Sequence, residues 1–199
     1  MLKEILEGAR QVAEQLRRVF IFDPIPTHMR SYQPLSEQLQ SDGGNIAVVS
    51  AALPDDRRGE VEETLTRYLR ELPERDLGRI WTERVGKFRT DAMLYCEEAW
   101  TKQDDQIIVD LRGMSDGTLR FLAIVCALLT IEEGSLLVIE EVDNGLHPSR
   151  AQVLVDMLRE LGRKRHIDVI VTTHNPARLD VLGRCDHQGC GRILCASRL

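Results

Sequence analysis

Apolar residues recur at three- and four-residue intervals through the first twenty positions, at Leu2, Ile5, Leu6, Ala9, Val12, Ala13, Leu16 and Phe20, with charges between them. That period predicts an amphipathic helix packed on a partner. Pro24, Pro26, Pro34 and Asp42-Gly43-Gly44-Asn45 then mark a loop-rich stretch, before a short apolar piece from Ile46 to Leu53. Arg58 to Leu72 read as a second helix, with Val61, Leu65, Tyr68, Leu69 and Leu72 on one face and Pro73 closing it. Phe88 to Cys96 and Gln106 to Leu111 are strand-like and are separated by the polar segment Thr101 to Asp105, which predicts a hairpin or meander. From Ser115 onward the pattern is helix (Thr118 to Ile131), strand (Leu136 to Glu140), helix (Ser149 to Leu161), strand (Ile167 to Thr172), with short connections. This alternation predicts an α/β fold whose parallel sheet carries helices on both sides.

Composition narrows the class. At 199 residues, 43% hydrophobic and 29% charged, the chain suits one soluble domain or a little more. A net charge of -6 excludes a surface that attracts nucleic acid throughout, while leaving room for a local basic patch. The longest apolar stretch, Phe121 to Leu129, falls short of the roughly 20 residues that span a bilayer. Lys3, Glu4 and Glu7 stand where a signal peptide needs an apolar core, so the expectation is a cytoplasmic protein with no membrane contact. Cys96 and Cys126 lie in apolar or mixed segments, as free thiols of a reduced compartment do.

Chemistry concentrates in the second half. The apolar run Leu136 to Ile139 ends in two adjacent carboxylates, Glu140 and Glu141, and a turn then leads to Pro148. Crossovers between parallel strands are right-handed, and neighbouring strands then end at one edge of the sheet, so the acids meet Thr173-His174-Asn175-Pro176. By itself a Glu-Glu pair after a strand also describes a solvated turn; its convergence with His174 shifts the balance toward a site. Strand alternation sends adjacent carboxylates different ways, so one can serve a metal and the other a water, the two tasks of phosphoryl-transfer sites. A histidine at that edge can contact a terminal phosphate. In Met114-Ser115-Asp116-Gly117-Thr118-Leu119-Arg120, Ser115 or Asp116 is a natural N-cap, and the free N–H groups beyond it form an anion site that Gly117 leaves open. Read alone, those residues are equally a good helix start.

In order and combination these segments resemble the ABC-type ATPase superfamily, in particular the AAA_21 branch, which is related to the overcoming-lysogenization-defect nucleases and to chromosome-maintenance and recombination ATPases. Ser115 to Arg120 resembles that branch's signature motif, and Leu136 to Glu141 its Walker B strand. Asn144-Gly145-Leu146-His147-Pro148 resembles its D-loop, Thr172 to Pro176 its histidine switch, and Asp23 to Leu53 its middle segment. The resemblance runs over residues 20 to 180 and implies a P-loop NTPase-like head that uses ATP and Mg²⁺. It implies that Glu140 assists Mg²⁺ binding, where many relatives have aspartate, and that Glu141 polarises the attacking water. His174 would contact the γ-phosphate. Ser115, Asp116, Gly117 and Asn144 would form the nucleotide-facing signature and D-loop of a site shared between two heads.

The same resemblance requires a phosphate loop, yet Gly-x-x-x-x-Gly-Lys-[Ser/Thr] occurs nowhere in the sequence; Val85-Gly86-Lys87-Phe88 comes nearest. The chain therefore reads as the C-terminal part of a head: a helical and β-hairpin middle segment (1–112), a core of signature helix, Walker B, D-loop and histidine switch (113–183), and a divergent tail (184–199). Its implied partners are a Walker A-bearing N-terminal half or partner chain and a second head, in a homo- or heterodimer, with nucleic acid reached through partner domains. A non-catalytic module that pairs with a complete ATPase is the alternative. In the tail, Cys185, His187, Cys190 and Cys195 have the chemistry of zinc ligands but not the paired Cys-x-x-Cys spacing of zinc knuckles. Arg159, Arg163, Lys164, Arg165 and His166 complement a helix dipole, and Trp81 and Trp100 read as packing residues.

Overall fold

A computed structural model describes residues 2–73, 77–99, 106–173 and 193–197. Helix α1 (Leu2–Arg17) follows the predicted period but stops short of Phe20, because Val19–Phe22 is strand β1. Four consecutive bulky β-branched and aromatic residues favour an extended backbone, and the strand gains a full ladder to a neighbour that a longer helix could not offer. Among the described residues the apolar stripe of α1 is left uncovered: Lys3 through Arg17 are all exposed.

After α2 (Pro26–Met29) and β2 (Gln33–Pro34), the apolar piece becomes a buried helix, α3 (Ile46–Ala52), and α4 (Asp55–Arg70) starts directly behind Pro54. The expected hairpin is a three-stranded meander of β3 (Leu77–Val85), β4 (Asp91–Ala99) and β5 (Gln106–Asp110), with β2 also pairing to β4. Phe88, read as strand, instead sits in the β3–β4 turn and is 81% exposed. Helix α5 (Asp116–Thr130) is the central element, buried from Gly117 to Leu128. It leads to β6 (Leu136–Ile139), a short 3-10 turn at Pro148–Arg150, α6 (Ala151–Lys164), β7 (Asp168–Thr173) and β8 (Ile193–Ser197).

The parallel sheet runs β1-β6-β7-β8. On one face Phe22, Leu137, Ile139, Val169 and Val171 join Leu122 of α5 and Leu154 and Leu158 of α6 in the main core. The α/β fold with a parallel sheet flanked by helices is as expected, and the described helices α5 and α6 pack on this face. The strands occupy the sheet in chain order, so every crossover travels the same way, and right-handed crossovers travelling one way deposit their helices on one side. Strand β8 comes from the stretch read as a divergent tail. Cys185, His187 and Cys190 of the candidate zinc group, and Trp100, lie outside the described residues.

Candidate active site

Strands β1, β6 and β7 end at the same edge of the sheet and present Asp23, Glu140-Glu141 and Thr173 there. The ladder continues to Glu140, whose N–H donates to the Phe22 carbonyl at 3.0 Å. Glu141 then leaves the strand with φ of 47°, in the left-handed region. A non-glycine residue there costs about 1–3 kcal/mol and persists only when its surroundings enforce it. The enforcement is visible: the Glu141 N–H donates to Thr172 Oγ1 at 2.9 Å. The Val142 N–H reaches the Thr172 carbonyl at 3.0 Å, and the Asn144 N–H reaches the Glu141 carbonyl at 2.8 Å. Asn144 Nδ2 also donates to Glu141 Oε2 at 3.3 Å. The left-handed turn at Glu141 thus ends the strand pleat directly after Glu140.

Arg120 binds this edge together from within. Its side chain is carried on α5 and the residue is 5% exposed. Nη1 donates to the Pro24 carbonyl at 2.7 Å, and Nη2 to Asp23 Oδ1 at 3.2 Å. The same Nη2 reaches the carbonyls of Glu140 at 2.9 Å and Glu141 at 3.2 Å. A buried guanidinium is tolerated when acceptors surround it. Here those acceptors are the ends of β1 and β6, so Arg120 fixes the height at which Asp23 and both glutamates leave the sheet.

The signature segment starts α5 as expected. Ser115 is the N-cap, its Oγ accepting from the Thr118 N–H at 3.2 Å. Asp116 Oδ1 accepts from Arg30 Nη2 at 2.6 Å, and that same nitrogen donates to the Met114 carbonyl at 2.9 Å. Gly117 is not open space: a Cβ at that position would lie 2.5 Å from the Gly145 carbonyl oxygen. Gly145, at φ of 71°, makes this approach possible. Arg150 Nη1 donates to Thr118 Oγ1 at 3.2 Å. The turn after β6 is thus docked on the first turn of α5 in the same chain.

The fold brings Glu140, Glu141 and Asn144 into one turn and joins that turn to Ser115, Asp116 and Gly117 through Gly145, Arg150 and Arg120. His174 lies outside the described residues, and β7 ends directly before it. Sequence reasoning placed Asp23, Arg30, Thr172 and Arg120 inside motif stretches and gave none of them a role of its own. Two signals were present: Val19 to Phe22 followed by Asp23 repeats the pattern of Leu136 to Glu140, and Arg120 is a charge within an otherwise apolar helix. Among the described residues no three Asp, Glu, His or Cys side chains are grouped as a metal cage.

Residues 17–180 match the family described as "AAA domain, putative AbiEii toxin, Type IV TA system". The chain belongs to that family. This AAA domain is thus an ATPase-related module of α/β architecture, and nearly all of α1 precedes the matched span. Among solved structures it is similar to the Smc head domain with an extended coiled coil bound to the C-terminal domain of ScpA, from Pyrococcus furiosus. That similarity has a TM-score of 0.44 and 13% identity, and it covers 64% of this chain and 30% of the other. A comparison with curated proteins gives no match. No helix among the described residues of the AAA domain is long and apolar enough to cross a membrane.

Proposed function

We propose that this AAA domain is the acid- and signature-bearing part of an ABC-type ATPase head, hydrolysing ATP with Mg²⁺ once a Walker A-bearing segment and a second head complete the site. The observation that carries this reading is the convergence of Asp23, Glu140 and Glu141 at one sheet edge, with the N-terminus of α5 docked to the same turn. Bound Mg²⁺ would supply charge neutralisation for the transferred phosphoryl group. Glu140 would hold the ion directly or through its waters. Glu141, pinned by Thr172 and Asn144, would orient the attacking water, and His174 would face the terminal phosphate. Ser115, Asp116 and Asn144 would meet nucleotide held by the second head. The work coupled to hydrolysis would be that of related heads, in DNA repair, chromosome organisation or phage defence, inside the cytoplasm. The test is ATP hydrolysis after mixing the chain with a Walker A-bearing segment. Glu141→Gln should lower the rate by at least a hundredfold while leaving nucleotide binding intact, and an unchanged rate would overturn the assignment.

The missing Gly-x-x-x-x-Gly-Lys-[Ser/Thr] supports a second reading, a non-catalytic module that pairs with a complete ATPase. Nucleotide titration separates the two readings. A complemented mixture that binds ATP but never hydrolyses it favours the module.

A further inference from the structure

The two edges of the antiparallel sheet differ. Along the β3 edge, side chains of α4 occupy backbone groups that face away from β4: the Ile80 N–H donates to Thr66 Oγ1 at 3.0 Å, and the Thr82 N–H to Glu62 Oε1 at 2.8 Å. Strand β5 forms the other edge and pairs with β4 alone. There Ile107 is 45% and Ile108 61% exposed, and no described side chain caps the backbone of Ile108. An edge strand with apolar side chains and open backbone groups is a template for pairing.

Register identifies which groups are open. The Leu111 N–H donates to the Leu94 carbonyl at 3.2 Å, and the ladder continues with Val109 opposite Cys96 and Ile107 opposite Glu98. Hydrogen-bonded pairs recur at every second residue of an antiparallel ladder, so Ile107, Val109 and Leu111 direct their N–H and C=O groups at β4. Gln106, Ile108 and Asp110 therefore turn theirs outward. The Asp110 carbonyl receives the Gly113 N–H at 3.0 Å, whereas Ile108 keeps both a donor and an acceptor for a further strand.

We infer that β5 is the docking edge for a second copy of this chain, the two strands pairing antiparallel about Ile108. The segment is complementary to itself in that orientation. The two Ile108 residues oppose each other and exchange both backbone hydrogen bonds, and their side chains meet on the sheet face that carries Trp81 and Tyr95. On the other face, Ile107 of each copy stands opposite Val109 of the other, in the non-hydrogen-bonded pairs where side chains come closest. Charge agrees with this arrangement. Asp110 already holds its own Arg112, whose Nε donates to Oδ2 at 2.9 Å. Antiparallel pairing sets Asp110 opposite position 106, which carries no charge, while an in-register parallel pair would set it beside its own copy. A two-fold axis at Ile108 makes the contact isologous, so it closes at two copies. The joined sheet runs β3-β4-β5-β5-β4-β3, with α4 capping both outer edges. None of this rests on the function proposed above, and no nucleotide is required.

Sedimentation of the full chain across a concentration series, without nucleotide, is the test. A reversible dimer is expected, weak because two paired strands bury less than a permanent interface. Ile108→Lys and Ile108→Pro should each raise its dissociation constant tenfold or more. The proline removes only an N–H that β4 does not use, so the thermal midpoint should stay near that of the unmodified chain. Register has its own readout. Opposed residues of a hydrogen-bonded pair have Cα atoms about 5.5 Å apart, within disulfide range. Ile108→Cys should therefore give a bond between copies that mass mapping places at position 108, while Ile107→Cys, opposite Val109, should not bond to itself. A chain that stays monomeric, or a dimer indifferent to both the lysine and the proline, would overturn the inference. So would a dimer lost with Ile21→Lys or Phe88→Ser, because another exposed apolar surface would then be the contact. A lysine-sensitive dimer whose Ile108→Cys variant forms no such bond rejects the antiparallel register.

Discussion

Ile139 and Ile170 are the same residue type on adjacent strands of one sheet, and they live in different environments. Ile139 is fully buried against the helices, whereas Ile170 is half-buried on the opposite face. Alternation separates them: successive strand residues point to opposite faces, and among the described residues α5 and α6 pack on the face that Ile139 joins. The comparison shows that a sheet can be stable as a fold while one of its surfaces is unfinished, provided the finished side carries the core. Ile139→Ala should therefore destabilise the chain by about 2–5 kcal/mol through lost transfer energy and a cavity. Ile170→Ala should cost less than about 1 kcal/mol, mostly local strand preference. Denaturant unfolding of the two variants measures the gap directly. Equal losses would mean that the face of Ile170 is already covered in solution.

Gly117→Ala tests whether the close packing of the helix-covered side extends to the carboxylate edge of the sheet. Alanine is worth about 0.8–1.0 kcal/mol more than glycine in a helix, so Gly117→Ala at an open helix position would stabilise. Here the added carbon meets the Gly145 carbonyl at 2.5 Å, and a backbone atom cannot swing aside. Overpacking of this kind costs about 1–3 kcal/mol. The expected sum is a loss of up to about 2 kcal/mol by denaturant unfolding. A gain would mean that the turn after β6 moves away freely and that its docking on α5 is loose.

Much of the packed side was legible in the sequence because each signal had one reading. Helix α5 is almost wholly apolar between a serine cap and Glu132, and β6 is a short apolar run ending in acids; neither pattern suits another element. Strand β1 was hidden by phase, since Phe20 continues the stripe of α1 at the helical interval and only the run Val19 to Phe22 marks the change. Helix α3 was ambiguous because seven apolar and small residues, six of them buried, have no period to show. Strand β3 escaped because Arg79, Glu83 and Arg84 break its apolar texture. At the site, residue types and order pointed to Glu140 and Glu141, yet the left-handed turn at Glu141 and the four acceptors of Arg120 come from three separated segments. No local pattern carries that information.

The smallest effect concerns the outer layer of the packed side, where Arg67 of α4 meets Glu160 of α6 at 2.8 Å. If apolar contact holds this side together, the ion pair should add little. Both side chains are about half exposed, and such pairs contribute about 0–1 kcal/mol. The Arg67 hydrogen bond holds the Glu160 carboxyl below its ordinary value of 4.5. A depressed carboxylate contributes its stability above the unfolded value, and that contribution fades as pH falls through the folded one. Glu160→Gln should accordingly lower the thermal midpoint slightly at pH 7, and the gap should close as pH falls through the depressed folded value, below which Glu160 is protonated in both folded and unfolded chains. Thermal melts of both proteins across that range decide it. A difference that does not shrink as pH falls would assign the contribution of Glu160 to packing between α4 and α6 and not to charge.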